Sequence, residues 1–258
     1  MQRILVWDVP VRLFHWLLVV GFVGAFALAE LADDEGPFFV LHMVLGLTVA
    51  AMTVLRVLWG FVGSRYARFR ALALRPRALL EYFRGILGAV TPPTQLGHNP
   101  ATSHALLVML GAVLGLAASG LVMSSTGARG LEEVHEFLGI GLLAVAVVHV
   151  LGVAWHSWRH RDGIVLGMLD GRKRGEPSAA IPSAHPVAAL VGLGLTALVA
   201  AWLLAGYDAS LGRVRLLGTG VVAGAKGEEA DRGDRHHGSG DRDGSGNPRH
   251  HGDDEDDD

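Results

Sequence analysis

The sequence predicts an all-α fold, an integral membrane bundle of five transmembrane helices. Three observations carry that expectation. Half of the 258 residues are hydrophobic and the mean hydropathy is positive, at +0.36. Charged residues make up 18% of the chain, where a soluble domain carries about 25%. The apolar residues also gather into five runs, each near the roughly 20 residues that cross a bilayer as a helix.

The first run, Leu13–Leu31, follows Asp8 and Pro10 and ends at an acidic stretch, Asp33, Asp34 and Glu35. Ala27-Leu28-Ala29 resembles a signal-peptidase site, but Asp8, Pro10, His15 and Trp16 upstream suit a retained span better than a cleaved leader. The second run, Phe38–Val62, holds one internal charge, Arg56. The third is His104–Met123, the fourth Val134–Trp155 and the fifth Pro186–Gly206. Polar, Gly-rich or Pro-rich sequence separates them.

Arginines set the expected direction, because bases favour the cytoplasmic side of short loops. The connection between spans two and three carries Arg65, Arg68, Arg70, Arg75, Arg77 and Arg84, and that between four and five carries Arg159, Arg161, Arg172, Lys173 and Arg174. The other connections are acidic or balanced. The N-terminus is therefore expected in the cytoplasm and the C-terminus outside it. From Lys226 onward the chain is Gly, Asp, Arg and His, with 12 acids and 5 bases. Such a segment has too little apolar surface to offset its ordering entropy and is expected to be disordered. Without it the body is mildly basic, with 17 bases against 13 acids.

The chain has no cysteine. Disulfides, iron–sulfur clusters, thiolate zinc sites and covalently attached haem are thereby excluded. No residue reads as a catalytic nucleophile or base. The chemistry rests on histidines, which are costly inside a membrane and so point to function. His135 and His149 lie fourteen residues apart in span four. That is nearly four turns and about 21 Å of rise, with both rings on nearly one face. One helix thus offers an imidazole near each surface. A haem iron with two axial ligands needs a second imidazole at each level. Helix direction supplies them: His15 begins span one at the level of His149, and His42 begins span two at the level of His135. Arg12, one turn before His15, and Arg56 are candidates to pair with haem propionates; each could instead anchor at the headgroups. His104 is the main rival ligand, while His98, His156, His160 and His185 read as interfacial. A metal or proton transporter built on the same histidines is the alternative function, and the His-Asp tail could bind metal weakly.

These residues resemble a known family. Val6-Trp7-Asp8-Val9-Pro10-Val11-Arg12-Leu13-Phe14-His15-Trp16 opens the likeness, and Leu41-His42-Met43-Val44-Leu45-Gly46 continues it. Arg56-Val57-Leu58-Trp59-Gly60-Phe61-Val62-Gly63-Ser64-Arg65 follows, then Arg68-Phe69 and Gly97-His98-Asn99-Pro100. His135-Glu136, His149, Met168, Gly171 and Lys173 complete it. Over about residues 4–175 the chain resembles the bacterial di-haem cytochrome b561 family, which includes the cytochrome b subunits of Ni,Fe-hydrogenases. It departs from that pattern in a short connection between spans three and four and in the histidine at position 104.

The resemblance implies two haem b groups held by His15, His42, His135 and His149. It implies electron transfer in the bacterial inner membrane between quinone or quinol and a periplasmic or membrane redox protein, a cytochrome c or hydrogenase-like subunit. No nucleic-acid partner is expected. The domain reading that follows is a four-helix di-haem domain over 1–175, a linker and fifth span over 176–210, and a disordered tail over 211–258.

Overall fold

A computed structural model describes residues 2–31, 37–87, 96–126, 128–160, 164–208, 213–215 and 222–224. The expected tail from residue 226 lies outside the described residues. Five helices are long and apolar enough to cross a membrane: α1 (Val9–Leu31), α2 (Pro37–Val62), α4 (Pro100–Thr126), α5 (Glu132–His160) and α7 (Pro186–Ala205). Two shorter helices, α3 (Pro76–Leu87) and α6 (Ile164–Asp170), lie in the Arg-rich connections. Five short strands complete the order: β1 (Gln2–Leu5), β2 (Arg172–Gly175), β3 (Tyr207–Asp208), β4 (Arg213–Arg215) and β5 (Val222–Gly224). The chain is an all-α membrane bundle, as the hydropathy predicts.

The spans start where side chains can satisfy their free amides. At α1, the Asp8 carboxylate accepts the Val11 N–H at 2.9 Å. This is an N-cap, and Pro10 falls in the first turn, where its missing N–H costs nothing. At α4, Asn99 Oδ1 accepts the Thr102 N–H at 2.8 Å and Pro100 opens the helix. Both spans therefore begin four residues earlier than the apolar runs alone suggest.

Close approach joins α1 to α2. A Cβ on Gly21 would stand 2.5 Å from Val49 Cγ2, and one on Gly24 would stand 3.1 Å from Leu45. Small residues of this kind let membrane helices pack tightly. Phe14, Val49, Met52, Leu110, Val113 and Leu142 form the central cluster between α1, α2, α4 and α5. Outward side chains such as Val20, Phe137 and Leu190 are largely exposed, as a surface that faces lipid requires.

The Arg-rich face is tied together by long-range contacts. β1 pairs antiparallel with β2, from Gln2 opposite Gly175 to Leu5 opposite Arg172. Gly171, at φ +78°, turns the chain from α6 into β2, and its carbonyl accepts the Val6 and Trp7 amides at 2.8 and 3.0 Å. Arg3 pairs with Asp170, and Tyr66 donates to the Ala179 carbonyl at 2.8 Å. These contacts bury Ile4, Val6, Trp7, Val11, Tyr66, Ala67 and Ile181. At the other face β3, β4 and β5 form a small antiparallel sheet. Val214 of β4 packs with Val40, Val44 and Leu203. Ordered structure thus runs past residue 210, where the composition suggests only a tail. Paired ends on both faces establish that the five spans alternate in direction.

Candidate haem-ligand histidines

At the face opposite the Arg-rich loops, His42 of α2 and His135 of α5 meet with ring centroids 6.2 Å apart and planes at 71°. His42 Nδ1 lies 2.7 Å from the Ala25 carbonyl of α1, to which it donates. His135 Nδ1 lies 3.0 Å from Ser119 Oγ of α4. The Ser119 proton already has carbonyl acceptors, Gly115 at 2.9 Å and Leu116 at 3.1 Å. Its oxygen is therefore free to accept from the histidine. Both Nδ1 atoms being engaged as donors, both Nε2 atoms are left with lone pairs. That is the tautomer a metal-bound imidazole needs, with its other nitrogen held by an acceptor.

At this spacing His42 and His135 are the two side chains that would hold a haem iron between them. Gly46 lies one turn along α2 from His42, and a Cβ there would meet nothing within 4 Å, which leaves room for a flat ring. Among the described residues, no group of three or more His, Cys, Asp or Glu converges to hold a metal. A pair is what a porphyrin iron requires, since the macrocycle supplies its other ligands.

At the Arg-rich face, His15 of α1 and His149 of α5 are both partly buried and close enough to interact electrostatically. His15 Nδ1 is buried with no hydrogen-bond partner among the described residues, and Trp16 stands edge-on to its ring at 5.1 Å. Trp16 Nε1 donates to the Met168 carbonyl at 3.1 Å, and Arg12 Nη1 to the Leu169 carbonyl at 2.6 Å. The first turns of α1 are thereby fixed to the end of α6. Arg12 Nε has no hydrogen-bond partner among the described residues. Arg56 is buried, with its guanidinium 5.9 Å from the Phe14 ring and 6.0 Å from that of Phe69. His42 thus lies beside His135, and His15 within the field of His149.

His98, the loop histidine of Gly97-His98-Asn99-Pro100, is drawn in against the N-terminal segment. Its ring stands edge-on to Trp7 at 4.6 Å. Burial, followed by the charges of Arg56, Lys173, His149 and His15, pushes its pKa down to about 3. It is a neutral imidazole beside the His15–His149 level. Its motif was visible, but its place depends on the β1–β2 clip, which no local pattern reveals. The rival His104 donates its Nδ1 proton to its own helix at Pro100, 2.8 Å away. His185 stands edge-on to Trp59 at 5.4 Å, and the side chain of His160 lies outside the described residues.

The chain is 24% identical over 214 residues to a probable Ni/Fe-hydrogenase B-type cytochrome subunit of Rhizobium leguminosarum bv. viciae, covering 67% of this chain and 89% of that one. It is 23% identical over 215 residues to the corresponding protein of Bradyrhizobium diazoefficiens, covering 66% and 85%. With the probable Ni/Fe-hydrogenase 1 B-type cytochrome subunit of Escherichia coli K12 it shares 25% identity over 123 residues, 39% of this chain and 52% of that one. No solved structure matches it. The family model for prokaryotic cytochrome b561 matches residues 6–171. That stretch contains all four paired histidines, and the chain belongs to the prokaryotic cytochrome b561 family, whose members are membrane electron-transfer proteins with haem b.

Proposed function

We propose that this protein carries electrons across the membrane through two bis-histidine haems b, one held by His42 and His135 and the other by His15 and His149. The carrying observation is the first pair. Two imidazoles from the first turns of two parallel spans, α2 and α5, meet at 6.2 Å, each with its Nδ1 tied to an oxygen of a neighbouring helix. Bound haem supplies a one-electron couple within each level. The chain's own part is to fix ring orientation, exclude water and set the polarity around each ligand. Arg12, one turn before His15, is the first candidate to meet a propionate, and Arg56 is the second.

The electron partners follow from kinship. The relatives' names support a hydrogenase-like subunit as the redox partner, and we assign the quinone pool to the other end. The Arg-rich face is assigned to the bacterial cytoplasm. The functional core is residues 1–175, with α7 added to its side and the residues beyond 211 dispensable for haem binding. A transporter reading would call for three or more ligands gathered together, and among the described residues no such group forms.

The test is a pyridine haemochrome assay on purified protein, with two haems expected per chain. A single haem would remove the stacked arrangement, and none would remove the function. His42→Ala should lose one haem and leave the other spectrally intact. Loss of both, or of neither, would break the pairing.

A further inference from the structure

A cavity of about 630 Å³ opens between α1, α2 and α7, and none of the four paired histidines lines it. Its walls are apolar, among them Phe14, Leu55 and Val191, and at its Arg-rich end stand Arg56, Trp59 and His185. On α7 its lining runs from Pro186 to Thr196, about 15 Å of helix. Outward-facing lining residues such as Val62, Val187 and Val191 are more than half exposed, so the cavity opens sideways into the bilayer.

Its polar end is a buried charge that is not fully hydrogen-bonded. Arg56 is 3% exposed and its Nη1 has no hydrogen-bond partner among the described residues. Asp8 acts on it as a counter-charge through space, but the hydrogen bonds of the Asp8 oxygens go to the Val11 N–H and Trp59 Nε1. A guanidinium stays charged, and leaving its N–H groups buried and unbonded in a membrane is costly. It matches phosphate oxygens in geometry and charge.

We propose that this cavity holds one anionic phospholipid, with its phosphate on Arg56 and one acyl chain lying between α1, α2 and α7. The size agrees. At about 30 Å³ for a water-sized group, the space takes on the order of 20 such groups, one chain and part of a headgroup. The second chain remains in the surrounding bilayer. The location agrees as well, because basic pockets between spans on the Arg-rich side meet the leaflet richest in acidic lipid. The lipid would cement α7 to the haem-binding helices.

The test uses the full chain with its haem, reconstituted from mixed phosphatidylglycerol and phosphatidylcholine and released for native mass spectrometry. One phosphatidylglycerol per chain should be retained in preference to phosphatidylcholine by about fivefold, the effect of one cationic contact near the surface. Arg56→Gln should abolish the preference. Gly192→Leu should abolish retention while leaving Arg56 intact, since Gly192 lines the cavity and a Cβ there meets nothing within 4 Å. Equal retention of both lipids, or retention unchanged in either variant, would overturn the proposal. So would displacement of the lipid by millimolar inorganic phosphate alone, which marks a simple anion site, or by a quinone. Haem loss in Arg56→Gln with lipid retained would assign the guanidinium to a propionate instead.

Discussion

Ser119 does more than line a helix. Its hydroxyl accepts from His135 Nδ1 while donating to the preceding turn, and this holds the ring in one tautomer. Removing such a partner typically costs about 10–100-fold in metal affinity. Ser119→Ala should therefore weaken haem retention on that side. Without the acceptor the imidazole is a poorer donor, so the midpoint potential of that haem should rise while the other stays fixed. A redox titration resolving two couples checks this, and a shift in both couples would contradict it. His98 makes a separate prediction in pH. Burial, and then the neighbouring positive charges, hold its pKa near 3 against an ordinary 6.5. The folded state thus prefers the neutral ring, and the unfolded state binds a proton first as pH falls. This contribution is complete above about pH 6.5 and is lost toward pH 3, at up to about 1.4 kcal/mol per pH unit. His98→Gln should flatten that acid slope in thermal melts. An unchanged slope would mean His98 does not titrate as described.

At the scale of elements, the α1–α2 contact is the tightest seam in the bundle. Gly21→Leu drives a side chain into Val49 Cγ2, 2.5 Å from the first added atom. Overpacking of this kind costs about 1–3 kcal/mol. The variant should melt earlier and should disturb the neighbouring haem levels together, which a haem-content assay after mild heating would detect. The spans themselves were legible because hydropathy over twenty residues is a local and redundant signal. Their first turns were less so. Asp8 and Asn99 read as polar boundaries, yet each caps a helix that begins right after it. The amphipathic helix α3 (Pro76–Leu87) was not foreseen, since its Arg77 and Arg84 counted only toward orientation, while Leu80 and Phe83 stay exposed along it. The β1–β2 ladder joins residues more than 160 positions apart, and nothing local in Gln2–Leu5 or Arg172–Gly175 announces it. The histidine levels were legible because fourteen residues on one helix convert directly into depth. The tautomers were not, since Ala25 and Ser119 contribute through three-dimensional contact alone.

For the whole molecule, the decisive quantity is direction in the membrane. Alternating spans bring Asp8, Trp59, Gly97, Lys173 and Ala184 to one face. Ala25, His42, Ser119 and His135 lie toward the other. The arrangement alone works either way up. What separates the two choices is charge, because the first face carries both Arg-rich connections and such loops resist export. The chain contains no cysteine, so single thiols can be introduced without background. Ser178 is exposed in the connection leading to α7 on the Arg-rich side, and Ser125 is exposed near the far end of α4. In intact cells whose outer membrane has been permeabilised, a membrane-impermeant maleimide should label Ser125→Cys and spare Ser178→Cys until the inner membrane is broken. The opposite pattern would turn the molecule over. It would then place the His42–His135 level toward the cytoplasm and exchange the ends at which quinone and the redox partner are sought.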